Sequence, residues 1–594
     1  MRALSWSLVP ALALMAGAGA PAAMAGADPG AQLNALFQSE WERGLRENPL
    51  NATYVGDHRY DDRWPDLSVD ALEKYHAEDQ AVLATLAAID PAALTDADRL
   101  NRELFHRLYQ DRVDSYAWGA RYLPINQRGG VQLASEFAGQ IEFSTARDYQ
   151  NWIARLDGIG TYVDQNIGLL REGVRRGLVQ SRIVMQRIPD QIAKQVVADP
   201  EASPFYAPFR TMPAGMPAAE QERLRAAGRE SIARSVVPAY RRLQDYFVRD
   251  YLPACADTVG VWALPGGEAW YQNRIAWFTT TNLTADEVHE IGLKEVARIR
   301  GEMQQVIQQV GFKGTFPEFL QYLRTDPKFH YTDAQQLLTA YMAMAKRIDP
   351  LLPQYFGRLP RLTYGVRPIP DESAPDTTAA YYQAGALDGR RAGYYYVNLY
   401  RPEDRPIYEI PVLSMHESVP GHHLQIALSQ ELGSVPMFRR DFEATAFVEG
   451  WALYSESLGQ EMGFYADPYA KFGQLTYEMW RAVRLVVDTG IHHKRWTREQ
   501  AIQFFRENAA KTELDIVNEV DRYIYWPGQA LAYKIGELKI RELRGRAEAA
   551  LGPGFDLRAF HDVVLGSGAV PLDVLEGNVQ RWIGERAATG QPRP

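Results

Sequence analysis

Eleven histidines are spread over 594 residues, yet three fall in one eight-residue run, His416-Glu417-Ser418-Val419-Pro420-Gly421-His422-His423. Imidazoles beside a carboxylate are the ingredients of a zinc hydrolase. In the HExxH pattern two histidines one helical turn apart hold the metal, and the glutamate next to the first acts as general base. Position 420 is proline, so that spacing fails and the second histidine must be His422 or His423. On an undistorted helix a seven-residue step returns to the same face but climbs about 10 Å, too far to share one ion. Pro420-Gly421 supplies the residues for a bulge or extruded turn that shortens the step. The reading is a distorted helix with His416 as first metal ligand and Glu417 as base.

A third ligand is needed. Glu449 lies 26 residues after His423 in Phe447-Val448-Glu449-Gly450-Trp451-Ala452-Leu453-Tyr454-Ser455-Glu456. Carboxylates among core residues are costly unless paired or bound to metal. Glu449 is the choice and Glu456 the runner-up. Imidazole and carboxylate ligands suit zinc, one ion per chain. Glu417 would take a proton from water and pass it to the leaving amine. Tyr523 and Tyr533 are the candidate donors to the oxyanion, with His492 and His493 in the same region. Arg522 and Lys534 are candidates for a substrate's terminal carboxylate. Tyr394 to Asn398 reads as an edge strand that pairs with an extended peptide, with Tyr396 and Asn398 as contacts. Asp488 is expected to pair with Arg484 one turn earlier. His289-Glu290 resembles the start of a zinc motif, but Leu293 follows where a histidine is required, so it is a decoy.

These residues must be positioned by helices. Leu33, Leu36, Phe37, Trp41 and Leu45 predict a helix over 31–46. Thr284-x-x-Glu287 is a capping box for a long amphipathic helix, and Thr497-x-x-Gln500 and Thr95-x-x-Asp98 cap two more. Further helices are predicted over 444–459, 474–490, 497–511 and 531–546. Five prolines between Pro200 and Pro217 exclude a regular helix there. Residues 364–380 read as loop, and Tyr394 to Leu399 as the best strand. The fold class is mainly α, with a small β-sheet near the site. Residues 28–264 form an N-terminal helical lobe and 265–590 a catalytic lobe intertwined with it.

Apolar residues make up 46% of the chain and charged residues 23%, which excludes a wholly disordered or fibrous protein. The net charge of −10 argues against nucleic acid as a partner. Residues 1–25 resemble a secretory signal peptide: Arg2, an apolar run, then Ala23-Met24-Ala25 and Ala25-Gly26-Ala27 as cleavage sites. No cysteine lies near them for lipid attachment. The expectation is a periplasmic or secreted protein with no stable membrane association after signal removal.

The HExxPGHH run at 416–423 and the EGWALYSE segment at 449–456 resemble the bacterial family catalogued as domain of unknown function 885. So do Arg484 to His492, Arg522 to Ala530 and Leu264-Pro265-Gly266-Gly267. The resemblance covers nearly the whole mature chain. It implies a gluzincin-like zinc metallopeptidase with a helical, two-lobed, clam-like fold, acting on short peptides in an enclosed cleft. The alternatives are a zinc-dependent amidase acting on cell-wall peptides, or a non-catalytic periplasmic binding protein.

Overall fold

The computed structural model describes residues 28–371 and 373–589, so the expected signal segment and cleavage sites lie outside the described residues. Among the described residues the chain is mainly helical with one three-stranded sheet. Helix α1 (Pro29–Glu47) buries Leu33, Phe37 and Leu45, the apolar stripe of the sequence. Helix α2 (Asp96–Trp118) starts where the Thr95 side chain accepts from the Asp98 amide. The proline-rich segment 200–217 forms only helical turns of three or four residues. Helix α3 (Ala285–Gln309) opens with the capping box of Thr284 and Glu287.

Strands β1 (Tyr364–Pro368), β2 (Ala380–Gln383) and β3 (Gly393–Val397) lie in the order β1-β3-β2, with β3 parallel to β1 and antiparallel to β2. Two expectations are corrected here. The stretch 364–380 is not all loop, because its first five residues pair with β3. Strand β3 is central rather than an edge, both its sides being occupied, and β1 and β2 are the edge strands.

The helices that position the site follow: α4 (Ile410–Glu417), α5 (His422–Gln430), α6 (Thr445–Glu461), α7 (Pro468–His492), α8 (Glu513–Tyr525) and α9 (Ala532–Leu551). Helices α6 and α9 touch backbone to backbone. A Cβ added to Gly536 would lie 1.8 Å from the Ala446 carbonyl oxygen, and one on Gly450 would lie 2.5 Å from the Gly536 backbone. Both positions therefore require glycine, and the contact fixes the height of α6. The main core is contiguous across both halves of the sequence. Phe37, Phe105 and Phe438 meet in it with ring centroids 4.7–5.0 Å apart.

Candidate metal centre

Helix α4 ends at Glu417 and α5 restarts at His422. Between them the backbone leaves helical geometry, with ψ −114° at Ser418 and −130° at Gly421. The turn folds tightly under α4: a Cβ on Gly421 would sit 1.9 Å from the His416 carbonyl oxygen, so only glycine fits. The Trp451 indole N–H on α6 donates to the Pro420 carbonyl at 2.8 Å and ties the turn to α6. The extruded turn removes the helical rise. The His416 and His422 rings end with centroids 4.7 Å apart and planes at 86°.

Glu449 projects from α6 between them. Its Oε2 lies 3.6 Å from His416 Nε2 and 3.3 Å from His422 Nε2. Donor atoms about 2.0–2.1 Å from a tetrahedral zinc are about 3.3 Å from one another, so this set fits the ion. Glu449 Oε2 is buried without a hydrogen-bond partner, an expense that a bound cation removes. An oxygen of Glu417 lies within 4.8 Å of a nitrogen of each histidine, so Glu417 and the two histidines also form a group that could hold a metal ion. Glu456 sits behind His416, its Oε1 2.8 Å from Nδ1 and 3.3 Å from Arg481 Nη2. A carboxylate there fixes the tautomer that leaves Nε2 free to face the cluster. Burial opposes charge on both Glu449 and His416. The histidines nevertheless hold Glu449 well below the usual carboxylate range, and Glu449 and Glu456 raise His416 to about 9.

Several sequence expectations fail on geometry. His423 points away from the cluster, its Nδ1 2.9 Å from Tyr382 Oη and its Nε2 3.1 Å from the Leu362 carbonyl. Burial lowers its pKa to about 4, so it is a neutral ring locking α5 to the sheet. Tyr523 Oη receives the Trp480 and Arg484 N–H groups at 3.1 and 3.0 Å, and the residue does not line the cavity. Lys534 is fully buried between Glu295, Glu478 and Glu537 at 2.9–3.0 Å, and no substrate reaches it. Asn398 spends its amide on the carbonyls of Ala374, Thr377 and Thr378, which hold the approach to β2. Tyr396 stacks on Tyr381 at 4.9 Å, outside the cavity lining. Asp488 accepts from Tyr271 Oη at 2.6 Å and the Gly528 amide, not from Arg484. His492 bonds the Tyr523 carbonyl at 2.8 Å, His493 faces Asp286, and His289 bonds Thr489.

The cluster opens onto a cavity of about 240 Å³. Tyr533 and Arg522 line it as the sequence suggested, and residues 380–382 of β2 form one wall. The Tyr533 ring stacks over His416 at 6.5 Å, and its Oη accepts from Arg522 Nη2 at 3.2 Å. Sequence reasoning missed Arg128, Trp480, Arg481 and Arg484 in this lining. Only the arginines of α7, spaced three apart near a known motif, offered a signal. A larger cavity of about 470 Å³ shares Arg128, Thr378 and Tyr381 with it.

The family model described as "bacterial protein of unknown function (DUF885)" matches residues 49–579. Two solved structures, each described as a "putative lipoprotein", are similar. One from Colwellia psychrerythraea is 30% identical with a TM-score of 0.88, over 94% of this chain and all of that one. One from Shewanella oneidensis, of unknown function, is 18% identical with a TM-score of 0.68 over 92% and 99%, and speaks to the fold alone. No curated protein matches significantly.

Proposed function

The chain belongs to this bacterial family of unknown function, and we propose that it is an exported, zinc-dependent metallopeptidase. The observation that carries the reading is the trio His416, His422 and Glu449: both histidines are buried, and Glu449 Oε2, itself buried and without a hydrogen-bond partner, lies at about zinc-ligand spacing from the Nε2 of each. Zinc held there supplies Lewis acidity and lowers the pKa of its water.

The chain's own residues do the rest. Glu417 accepts a proton from the water that attacks the peptide carbonyl, then delivers it to the leaving nitrogen. Hydroxyl is added to the carbonyl carbon, hydrogen to the amine, and Glu417 ends unchanged. Tyr533 donates its O–H to the developing oxyanion, with its oxygen steadied by Arg522. Strand β2 offers backbone groups along the cavity wall to an extended substrate, the role first read into β3. Glu456 and Arg481 keep His416 oriented. Export is supported by the signal-like segment and by the description of the similar structures as lipoproteins. The single cysteine, Cys255, is buried, so the lipid is not carried over to this chain.

A mixed-peptide digest by the zinc-loaded mature protein, read by mass spectrometry, tests the proposal. Cleavage that stops with a chelator and returns with zinc is the expected result. Intact peptides after prolonged incubation with fully loaded protein would overturn it.

A further inference from the structure

The cavity wall beyond Tyr533 carries more positive charge than its ion pairs neutralise. Arg484 gives Nη2 to Glu519 at 2.9 Å and Nε to Tyr523 at 3.0 Å, while its Nη1 is buried without a partner. Arg522 gives Nη2 to Gln529 and Tyr533 at 2.6 and 3.2 Å, its Nη1 lies 3.6 Å from Glu519, and its Nε is likewise unpartnered. Arg128 reaches the other oxygen of Glu519 at 3.5 Å. Three guanidinium groups thus share one carboxylate in these pairs. The fourth arginine of the lining, Arg481, is matched by Glu456. The acids that line the cavity itself, Glu417 and Glu449, belong to the metal end.

Buried N–H groups without acceptors are expensive, and buried charge more so. Planar guanidinium forks are best satisfied by a carboxylate bound through two oxygens. The location is also telling. The Tyr533 ring lies 6.5 Å from the His416 ring, and the Arg484 guanidinium lies over it, 4.2 Å from the ring centre. The arginines therefore stand one aromatic ring from the metal cluster. An extended chain covers about 3.3–3.6 Å per residue, so one to three residues bridge that gap.

Resting on the peptidase reading, we propose that Arg128, Arg484 and Arg522 form an anion subsite. It takes a carboxylate that the peptide substrate carries within one to three residues of the cleaved bond. The carboxylate is either the chain's C-terminus or an acidic side chain.

Three matched peptides test this: one with a free C-terminal acid, one amidated, and one amidated but carrying Asp or Glu near that end. With zinc-loaded protein, kcat/KM for at least one of the two carboxylate-bearing peptides should exceed that for the plain amide by about 10–100-fold, the range of a charge-assisted hydrogen bond. An acid faster than the amide assigns the terminus, and a third peptide faster than the amide assigns a side-chain carboxylate. Arg522→Gln should bring the carboxylate-to-amide ratio toward one. Arg128→Gln, at the more exposed end of the group, repeats the test should Arg522→Gln fail to fold. Equal rates on all three peptides, or an unchanged carboxylate-to-amide ratio in the folded variants, would overturn the subsite. If no peptide is cleaved, it is the peptidase reading that fails. Calorimetric binding of the three peptides to Glu417→Gln then still decides the subsite, with about 10–100-fold tighter binding of a carboxylate-bearing peptide than of the plain amide expected and equal binding of all three refuting it.

Discussion

Glu449→Ala should cost far more zinc than Glu456→Ala, although both carboxylates face His416. The structure gives them different jobs. Glu449 Oε2 lies between the two Nε2 atoms at 3.6 and 3.3 Å, where an ion's ligands must be. Glu456 Oε1 meets His416 from behind, on Nδ1 at 2.8 Å. Four-ligand zinc sites bind with about 10–16 kcal/mol, so one ligand accounts for about 2.5–4 kcal/mol, or about 10²–10³-fold in affinity. A residue that only orients a ligand typically costs 10–100-fold. The assay is zinc competition against a chromophoric chelator at one pH for wild type and both variants, with circular dichroism to confirm folding. The reasoning fails if Glu456→Ala, folded, loses more affinity than Glu449→Ala.

Four further outcomes are expected. Because Glu449 and Glu456 raise His416 to about 9 in the metal-free protein, zinc must displace its proton. Apparent affinity should therefore climb by up to tenfold per pH unit and level off near pH 9, and chelator competition from pH 6 to 10 reads this. The same shift has a stability sign. The folded pKa lies above the ordinary 6.5, so its stabilisation of the metal-free fold is complete below pH 6.5 and lost as pH rises through 9, visible in urea midpoints. Tyr533→Phe should lower kcat by about 10²–10³-fold with zinc retained, since it removes one donor to the oxyanion; an unchanged kcat excludes that role. Gly536→Ala should destabilise the protein by at least about 1–3 kcal/mol in urea unfolding, because its Cβ would meet the Ala446 carbonyl at 1.8 Å; wild-type stability would show that α6 and α9 can separate freely.

Much of the helical framework was legible, because caps such as Thr284 with Glu287 and stripes such as Leu33, Phe37 and Leu45 act within one or two turns. The break at Pro420-Gly421 was legible too, since those residues oppose a continuous helix. Which histidine it delivers was not. Seven-residue periodicity favours His423, but α5 restarts after the turn in a register of its own. His423 is claimed by Tyr382 and Leu362, whose positions depend on the sheet. Strand β1 was hidden because Gly365, Arg367 and Pro368 read as loop and its pairing with β3 is long-range. The expected Arg484–Asp488 pair failed for another reason. Helix α7 is buried on nearly every face, so residues one turn apart find separate partners, Glu519 for one and Tyr271 for the other. Arg128 reaches the cavity from far upstream and leaves no mark in local sequence.

The central claim is that Glu417 is the base and not a ligand. Glu417→Gln keeps the size and polarity of the side chain but removes its ability to accept the water's proton. Zinc content and peptide turnover, measured on the same preparations of wild type and Glu417→Gln, test it directly. The account predicts near-stoichiometric zinc in both proteins and turnover lower by at least about 10²–10⁴-fold in the variant. Undiminished turnover by the zinc-loaded variant, or loss of the zinc itself, would contradict it.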